Sequence, residues 1–249
     1  IVTKTDLVSI KRVLEVKEDF KKRLFEATGT DIEVFSFSAV HGNIVLIRDC
    51  LETLLDQFPA PRDKKTARLW VDRVFSPKGQ GTVVTGSLRE GTIRVGDEVI
   101  VAPLQARGSV KGIEIFGESV ESASSVTRIA LQLSKVDGSQ VRRGSLITKR
   151  EIRGVQSADV SFIGKKFNKN IKVSFHLGTL QAPVLVIPFA QGGFGRLKFE
   201  KPVSLRVGET FILRTFGEER TLGGGMVADL PPLIGPHKKA MENLTDWGP

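Results

Sequence analysis

Residues 71–103 read VDRVFSPKGQGTVVTGSLREGTIRVGDEVIVAP. Ser76-Pro77-Lys78-Gly79 makes a turn, and Gly79 and Gly81 permit the positive φ or close backbone approach that side chains resist. Thr82 to Thr85 is a β-branched strand run, and Gly96-Asp97 is a second turn. The stretch is a succession of short strands and tight turns, and the same texture continues outward. From Ala67 to about Asp229, glycine turns separate LWVDRVF, EVIVAP, VKGIEIF, RIALQL, VSFHLG, APVLVIPFA, GRLKFE and TFILRTF. Such spacing predicts antiparallel barrels or sandwiches. Roughly 160 residues hold too many strands for one small barrel, and a divide near Lys149 to Gly154 gives two of about 80 residues each.

The first 58 residues differ. Ile1 and Val2 read as the end of a strand. Ser9 caps a predicted helix running to about Ala27, with Ile10, Val13, Leu14, Phe20 and Leu24 at helical spacing and Gly29 as its stop. Ile32 to Phe37 reads as a short apolar strand. A second helix is expected from about Asn43 to Gln57, with Ile44, Ile47, Leu51, Leu54 and Leu55 on one face and Cys50 as a small core residue. The expected class is mainly β: two antiparallel β-barrels preceded by an α/β segment. The boundaries are 1–58 for the α/β segment, 59–66 for a proline- and charge-rich linker, 67–150 and 151–230 for the barrels, and 231–249 for a tail.

The 249 residues are 40% apolar and 26% charged, which excludes a disordered, collagen-like or membrane-bundle chain. No apolar run approaches the ~20 residues of a membrane span, and no basic-then-apolar start suggests a signal peptide. A single cysteine excludes a disulfide framework and a multi-cysteine metal site, and fits a reducing, cytoplasmic location. His41, His176 and His237 lack ligand spacing, so no metal site is expected. The net charge is +9. Residues 1–65 carry 11 basic and 11 acidic residues, while 66–150 contribute +5 and 151–249 contribute +4. A positive field of this kind attracts polyanions such as phosphate backbones, and it also solubilises a surface.

Thr3-Lys4-Thr5-Asp6 follows the first strand directly. A strand, [NT]KxD and a helix is the arrangement by which GTP-binding proteins recognise guanine. The Asp carboxylate accepts from guanine N1–H and the 2-amino group, which adenine does not offer, and the Lys stem lies along the ring. Ser38-Ala39 occupies the corresponding place after the next strand, where backbone N–H groups face the guanine carbonyl. Helix capping at strand ends is the competing reading of Asp6 and Ser38. No GxxxxGK[ST] phosphate loop occurs, so this chain by itself is expected to have no catalytic residues.

The GTVVTG pattern followed by G-x-I-x-x-G-D resembles the second domain of translational GTPases of the elongation factor Tu group. Within that group the wording most resembles the selenocysteine-specific elongation factors, as do HLGT (176–179), EKP (200–202) and ETFILRTFGEERTLGGGMVADLPP (209–232). The resemblance covers essentially the whole chain. It implies that residues 1–58 are the remnant of a P-loop GTPase domain, with the phosphate-binding half before Ile1 and winged-helix modules after Pro249. It also implies GTP or GDP with Mg²⁺ in the complete protein and no cofactor in this chain alone. The implied partners are selenocysteinyl-tRNA, the ribosome and, through the C-terminal modules, a selenocysteine-insertion mRNA element. The expected form is a monomer with no membrane association. Thr3 stands where most GTPases have Asn, and Ser125-Val126-Thr127-Arg128 stands where elongation factors usually read Ala-Gly-Gln-Arg.

In the selenocysteine factors an early Asp-Arg pair and a later Arg of the second domain line the aminoacyl pocket. The matching residues are Asp72, Arg73 and Arg128. The chemistry is coherent, because a selenol is an anion near neutral pH and a permanently charged guanidinium prefers it to a neutral serine hydroxyl. Strand alternation sends Asp72 and Arg73 to opposite faces, so both reach one pocket only at a bulge or strand end. Lys165, Lys166, Lys169, Lys172 and Arg196 are candidates for the tRNA acceptor arm. His176 reads as a packed barrel residue. Gly192-Gly193 and Gly223-Gly224-Gly225 read as turn or close-packing glycines. Two alternatives remain: another translational GTPase, such as a general elongation or initiation factor, or a non-GTPase RNA- or protein-binding barrel module.

Overall fold

The computed structural model describes residues 1–230 apart from 43, 58–65, 80, 164–166, 191, 218 and 219. The tail and all of the linker but Thr66 fall outside the described residues. The chain divides into two units, Ile1–Ala60 and Pro61–Pro249.

In the first unit α1 spans Ile10–Thr28, with the Ser9 hydroxyl accepting from the Arg12 N–H and Gly29 (φ 69°) closing the last turn onto the Phe25 carbonyl. Helix α2 spans Ile44–Asp56. The two expected strands shrink to one parallel bridge, Val2 to Ser36. Two hydrogen bonds make it, from Val2 N to Phe35 O (2.7 Å) and from Phe37 N to Val2 O (2.8 Å). Parallel pairing is the weaker ladder per residue, and no further strand flanks this pair among the described residues. Val34 and Ser38 are the buried residues described in this unit.

The second unit opens with β1 (Arg68–Phe75), β2 (Thr82–Glu90), β3 (Thr92–Arg94), β4 (Glu98–Ala102) and β5 (Ala106–Ile115), then β6 (Glu118–Val120), β7 (Ser122–Ser124), β8 (Thr127–Ser134) and β9 (Leu146–Thr148). It continues with β10 (Val155–Ile163), β11 (Ile171–Leu177), β12 (Leu180–Pro188), β13 (Phe194–Val203), β14 (Thr210–Arg214) and β15 (Thr221–Asp229). The order β4-β9-β1-β2-β8-β5 closes through β5–β4 pairing into a six-stranded antiparallel barrel, with β6 extending β5 and β3-β7 forming a separate ribbon. A second barrel closes in the order β10-β13-β12-β11-β14-β15. The expected mainly-β class with two antiparallel barrels is what forms.

Alternation builds both cores. Along β2, Thr82, Val84, Gly86 and Leu88 point inward and the residues between them outward. They meet Leu69, Val71, Val99, Val101 and Leu131 inside the first barrel. Phe175 centres the second barrel, with its ring 5.1 Å from Phe199 edge-on and 5.2 Å from Phe211. The triple glycine lies within β15, because Cβ atoms at Gly224 and Gly225 would meet the Phe211 and Ser161 carbonyl oxygens at 2.5 and 2.1 Å. The seam between barrels is apolar and ionic at once. Trp70, Ala102 and Leu146 of the first barrel join the core cluster of the second. Beside them Arg68 bonds Glu209 at 2.5 Å, and Arg206 grips both Glu90 carboxylate oxygens at 2.7 and 2.5 Å. No described helix is long and apolar enough to cross a membrane.

Candidate functional site

Two places draw the candidate residues together. In the first unit, the Val2–Ser36 bridge sets the ends of both chain segments side by side. Thr5 donates its N–H to Phe37 O (3.4 Å), and the Ser38 hydroxyl oxygen accepts from the Val40 and His41 N–H groups (3.2 and 3.1 Å). The same hydroxyl bonds Asp6, and that bond is the main reason the Asp6 carboxyl titrates below its usual range, with a smaller contribution from His41. Asp6 and Ser38 line a cleft of about 600 Å³ whose apolar walls are Phe35, Phe37, Leu46 and Ile47. Thr3, Lys4 and Ala39 are exposed on the adjoining turns. His41, which the sequence reading did not assign, also lines the cleft.

An ionised carboxylate beside aromatic walls suits the donor edge and faces of a guanine base. The phosphates and Mg²⁺ are another matter. Among the described residues no group of three or more His, Cys, Asp or Glu side chains could hold a metal ion.

The second place is on the first barrel. In the β1–β2 ladder Val71 faces Gly86 and Arg73 faces Thr85, so Asp72 is an extra residue in a β-bulge. Gly86 is required there, because a Cβ would lie 2.2 Å from the Trp70 carbonyl oxygen. The bulge removes the alternation problem and sets Asp72 beside its neighbour. The Arg128 guanidinium bonds the Asp72 carboxylate at 2.7 Å, and Arg73 approaches to 3.9 Å. A third guanidinium, Arg143, bonds the other carboxylate oxygen. The Arg128 hydrogen bond, followed by the charges of Arg143, Arg128 and Arg73, holds the Asp72 carboxyl below its usual range despite partial burial. Asp72 is 15% exposed and the three arginines 56–69%, so the anion is sunk and the cations face outward. Three positive charges around one negative leave an anion-attracting site. Arg143 had one faint sequence signal, the Arg142-Arg143-Gly144-Ser145 turn, and only tertiary pairing brings it to Asp72.

The ladders place Arg73, Thr85 and Ala130 in one row across β1, β2 and β8, and Phe75, Val83 and Gln132 in the next row along. Phe75, Val83, Ala130 and Gln132 line a cleft of about 510 Å³ with Lys111 and Glu114 at its edge. Ala130 of its lining shares the register row of Arg73, so the cleft and the arginine site lie on the same outer face.

The tRNA-contact candidates separate. Lys165 and Lys166 lie outside the described residues. Lys169 is exposed in a bend. Lys172 is exposed on β11 and stands 3.9 Å from Glu200, a loose surface pair. The register Lys172–Leu185–Lys198 adds a second lysine to that outer face. Arg196 is tied to the neighbouring strand: it bonds both oxygens of buried Asp159 at 2.8 and 3.1 Å and stacks 5.9 Å from the Phe189 ring centre. His176 sits on β11, opposite Gln181 on β12 and Ile212 on β14.

No family model matches the chain. A curated selenocysteine-specific elongation factor from Desulfomicrobium baculatum is 26% identical over 99% of this chain and 41% of its own length. Another, from Methanocaldococcus jannaschii, is 28% identical over 76% of this chain and 42% of its own. The crystal structure of a bacterial selenocysteine-specific elongation factor, EF-Sec, superposes with a TM-score of 0.84 at 27% identity, covering 98% of this chain and 42% of that one. Translation elongation factor SelB from Methanococcus maripaludis, crystallised with the GTP analogue GppNHp, shares the fold at 21% identity (TM-score 0.81, 93% of this chain and 58% of that one). The chain spans about two fifths of the length of the curated relatives it matches. In sequence and in fold, over nearly all of its length, this chain is similar to the selenocysteine-specific elongation factors.

Proposed function

We propose that this chain is the part of a cytoplasmic selenocysteine-specific elongation factor that holds the aminoacyl end of selenocysteinyl-tRNA and the guanine of GTP, for delivery of that tRNA to the ribosome. The observation that carries the reading is the bulged Asp72 carboxylate with Arg73, Arg128 and Arg143 around it. The carboxylate receives the α-ammonium group of the amino acid. The guanidiniums attract the selenolate, which serine cannot imitate at neutral pH. The neighbouring cleft takes the terminal nucleoside to which the amino acid is esterified, since its lining begins at Ala130, in the register row of Arg73.

The exposed lysines 169, 172 and 198 supply sequence-independent attraction to the acceptor-arm phosphates. Asp6 accepts from the guanine N1–H and 2-amino groups, with Ser38 fixing its carboxylate and the Phe35 and Phe37 rings beside it in the cleft. In the complete protein, GTP held with Mg²⁺ would be hydrolysed by water to GDP and phosphate, and that change would release the tRNA.

Competition binding of selenocysteinyl-tRNA against seryl-tRNA tests the reading. Arg128→Ala and Arg73→Ala each narrow the preference, by about tenfold or more where the contact is desolvated. Unchanged preference in both variants refutes the pocket. A cargo other than selenocysteine, as in a general elongation factor, predicts no preference in the parent protein either.

A further inference from the structure

We propose that the tight β11–β12 turn of the second barrel, through Thr179, is the positioning device for Asp72, so that the anion site of the first barrel is completed across the seam between barrels. The inference rests on the pocket reading above. It starts from Val71, the residue before the bulge. The Val71 N–H donates to Ser145 O (2.9 Å), and the Val71 carbonyl accepts both the Gly144 N–H (3.0 Å) and the Thr179 hydroxyl (2.6 Å). Regular β1–β9 pairing ends one residue earlier, at Trp70 and Leu146. Beyond that point the edge of β1 is held by the 142–145 loop and by a side chain from the other barrel.

The turn itself is anchored twice. Leu177 and Leu180 pair, leaving Gly178 and Thr179 as a two-residue hairpin loop. Gly178 lies so close to Trp70 that a Cβ would meet the indole at 2.9 Å. Trp70 is therefore clamped by Gly178, Val71 by Thr179, and Asp72 follows directly. The same 142–145 loop carries Arg143 to the far oxygen of Asp72. The Thr179 hydroxyl bonds the Val71 carbonyl rather than the carboxylate or the arginines. It acts through the Val71 peptide, which sets where the bulge projects Asp72 relative to Arg128 on β8.

Three variants of the full chain test this: Thr179→Val, which keeps the shape and loses the donor, Thr179→Ser, which keeps the donor, and Arg128→Ala. Thr179→Val is expected to reduce the preference for selenocysteinyl- over seryl-tRNA about three- to tenfold, the loss of one hydrogen bond. Thr179→Ser is expected to retain the preference within about twofold. A second readout needs no tRNA. The Asp72 carboxyl, followed by carbon NMR against pH, titrates below the ordinary carboxylate range in the parent and in Thr179→Ser, and moves up in Thr179→Val as the Arg128 bond loosens. If Thr179→Val leaves preference and titration unchanged while Arg128→Ala lowers the preference, the positioning role is wrong and the pocket stands. If Arg128→Ala also has no effect, the pocket reading falls and this inference falls with it.

Discussion

Replacing Glu209 by alanine should loosen the seam between the barrels by a predictable amount. The Arg68 side chain is 5% exposed and that of Glu209 is 12%, with a 2.5 Å contact between them. Burial pushes the Arg68 pKa down and the Glu209 pKa up, in each case as the leading cause, with the partner's charge opposing it. Desolvation thus outweighs attraction on both sides, and the pair is costly to strand rather than strongly stabilising. Removing one member of such a pair costs ~3–5 kcal/mol because the other charge stays buried, whereas replacing both by apolar groups is often neutral. Because the Glu90 carboxylate also favours the Arg68 charge, the lower end applies, about 3 kcal/mol. At ~2–4 °C per kcal/mol for a unit of this size, the thermal midpoint should fall by roughly 6–12 °C.

The assay is thermal and urea unfolding of Glu209→Ala, Glu209→Gln and the double variant Arg68→Met/Glu209→Leu. Glu209→Gln should lose about half as much, and the double variant should return to within ~1 kcal/mol of the parent. The pH dependence has a definite sign. A carboxyl whose pKa is raised on folding holds its proton more tightly in the folded state. Its stabilising contribution is complete below the unfolded-state pKa and is lost as pH rises through the raised value. Glu209→Gln should remove that downward slope. A Glu209→Ala protein within ~0.5 kcal/mol of the parent would sink the reasoning, since Arg68 would then have found another partner or water at no cost.

Gly86→Ala should destabilise the first barrel by about 2 kcal/mol or more, since the new Cβ meets the Trp70 carbonyl oxygen at 2.2 Å, and urea unfolding will measure it. Asp72 runs opposite to Glu209: its lowered carboxyl pKa makes its contribution present above the unfolded-state pKa and lost as pH falls through the folded one, so Asp72→Asn should flatten that acid limb of an unfolding-versus-pH profile. Lys169→Ala and Lys172→Ala should each weaken tRNA binding regardless of the amino acid carried and reduce the salt slope by ~0.7–0.9, read from affinities at several salt concentrations. A salt-independent affinity contradicts the role given to these lysines.

Much of this was readable one residue at a time. Ser9 and Gly29 bracket α1 because a hydroxyl cap and a positive-φ glycine are local devices. The β-branched runs became strands because alternation and turn residues act within a few positions. Strand β15 is hidden, since three glycines mask strand propensity and two of them, Gly224 and Gly225, are explained only by the carbonyls of neighbouring strands that crowd them. The apolar runs of the first unit form one bridge in place of two strands, because such runs reveal propensity and not the presence of a neighbour to pair with. Arg196 read as a surface cation, and only the fold reveals buried Asp159 opposite it.

By itself, then, the sequence determined the class of the fold, two barrels built from short strands, and its resemblance to the selenocysteine-specific elongation factors singled out Asp72, Arg73 and Arg128 as residues worth placing. It also posed the alternation conflict between Asp72 and Arg73 without resolving it. Tertiary structure decided the rest: an extra residue in β1, a third arginine 71 positions away and a hydroxyl 108 positions from Val71. The reason is physical. Periodicity and capping are set by nearest neighbours along the chain, whereas a bulge and its partners depend on which distant backbones leave room and which donors arrive to fill it.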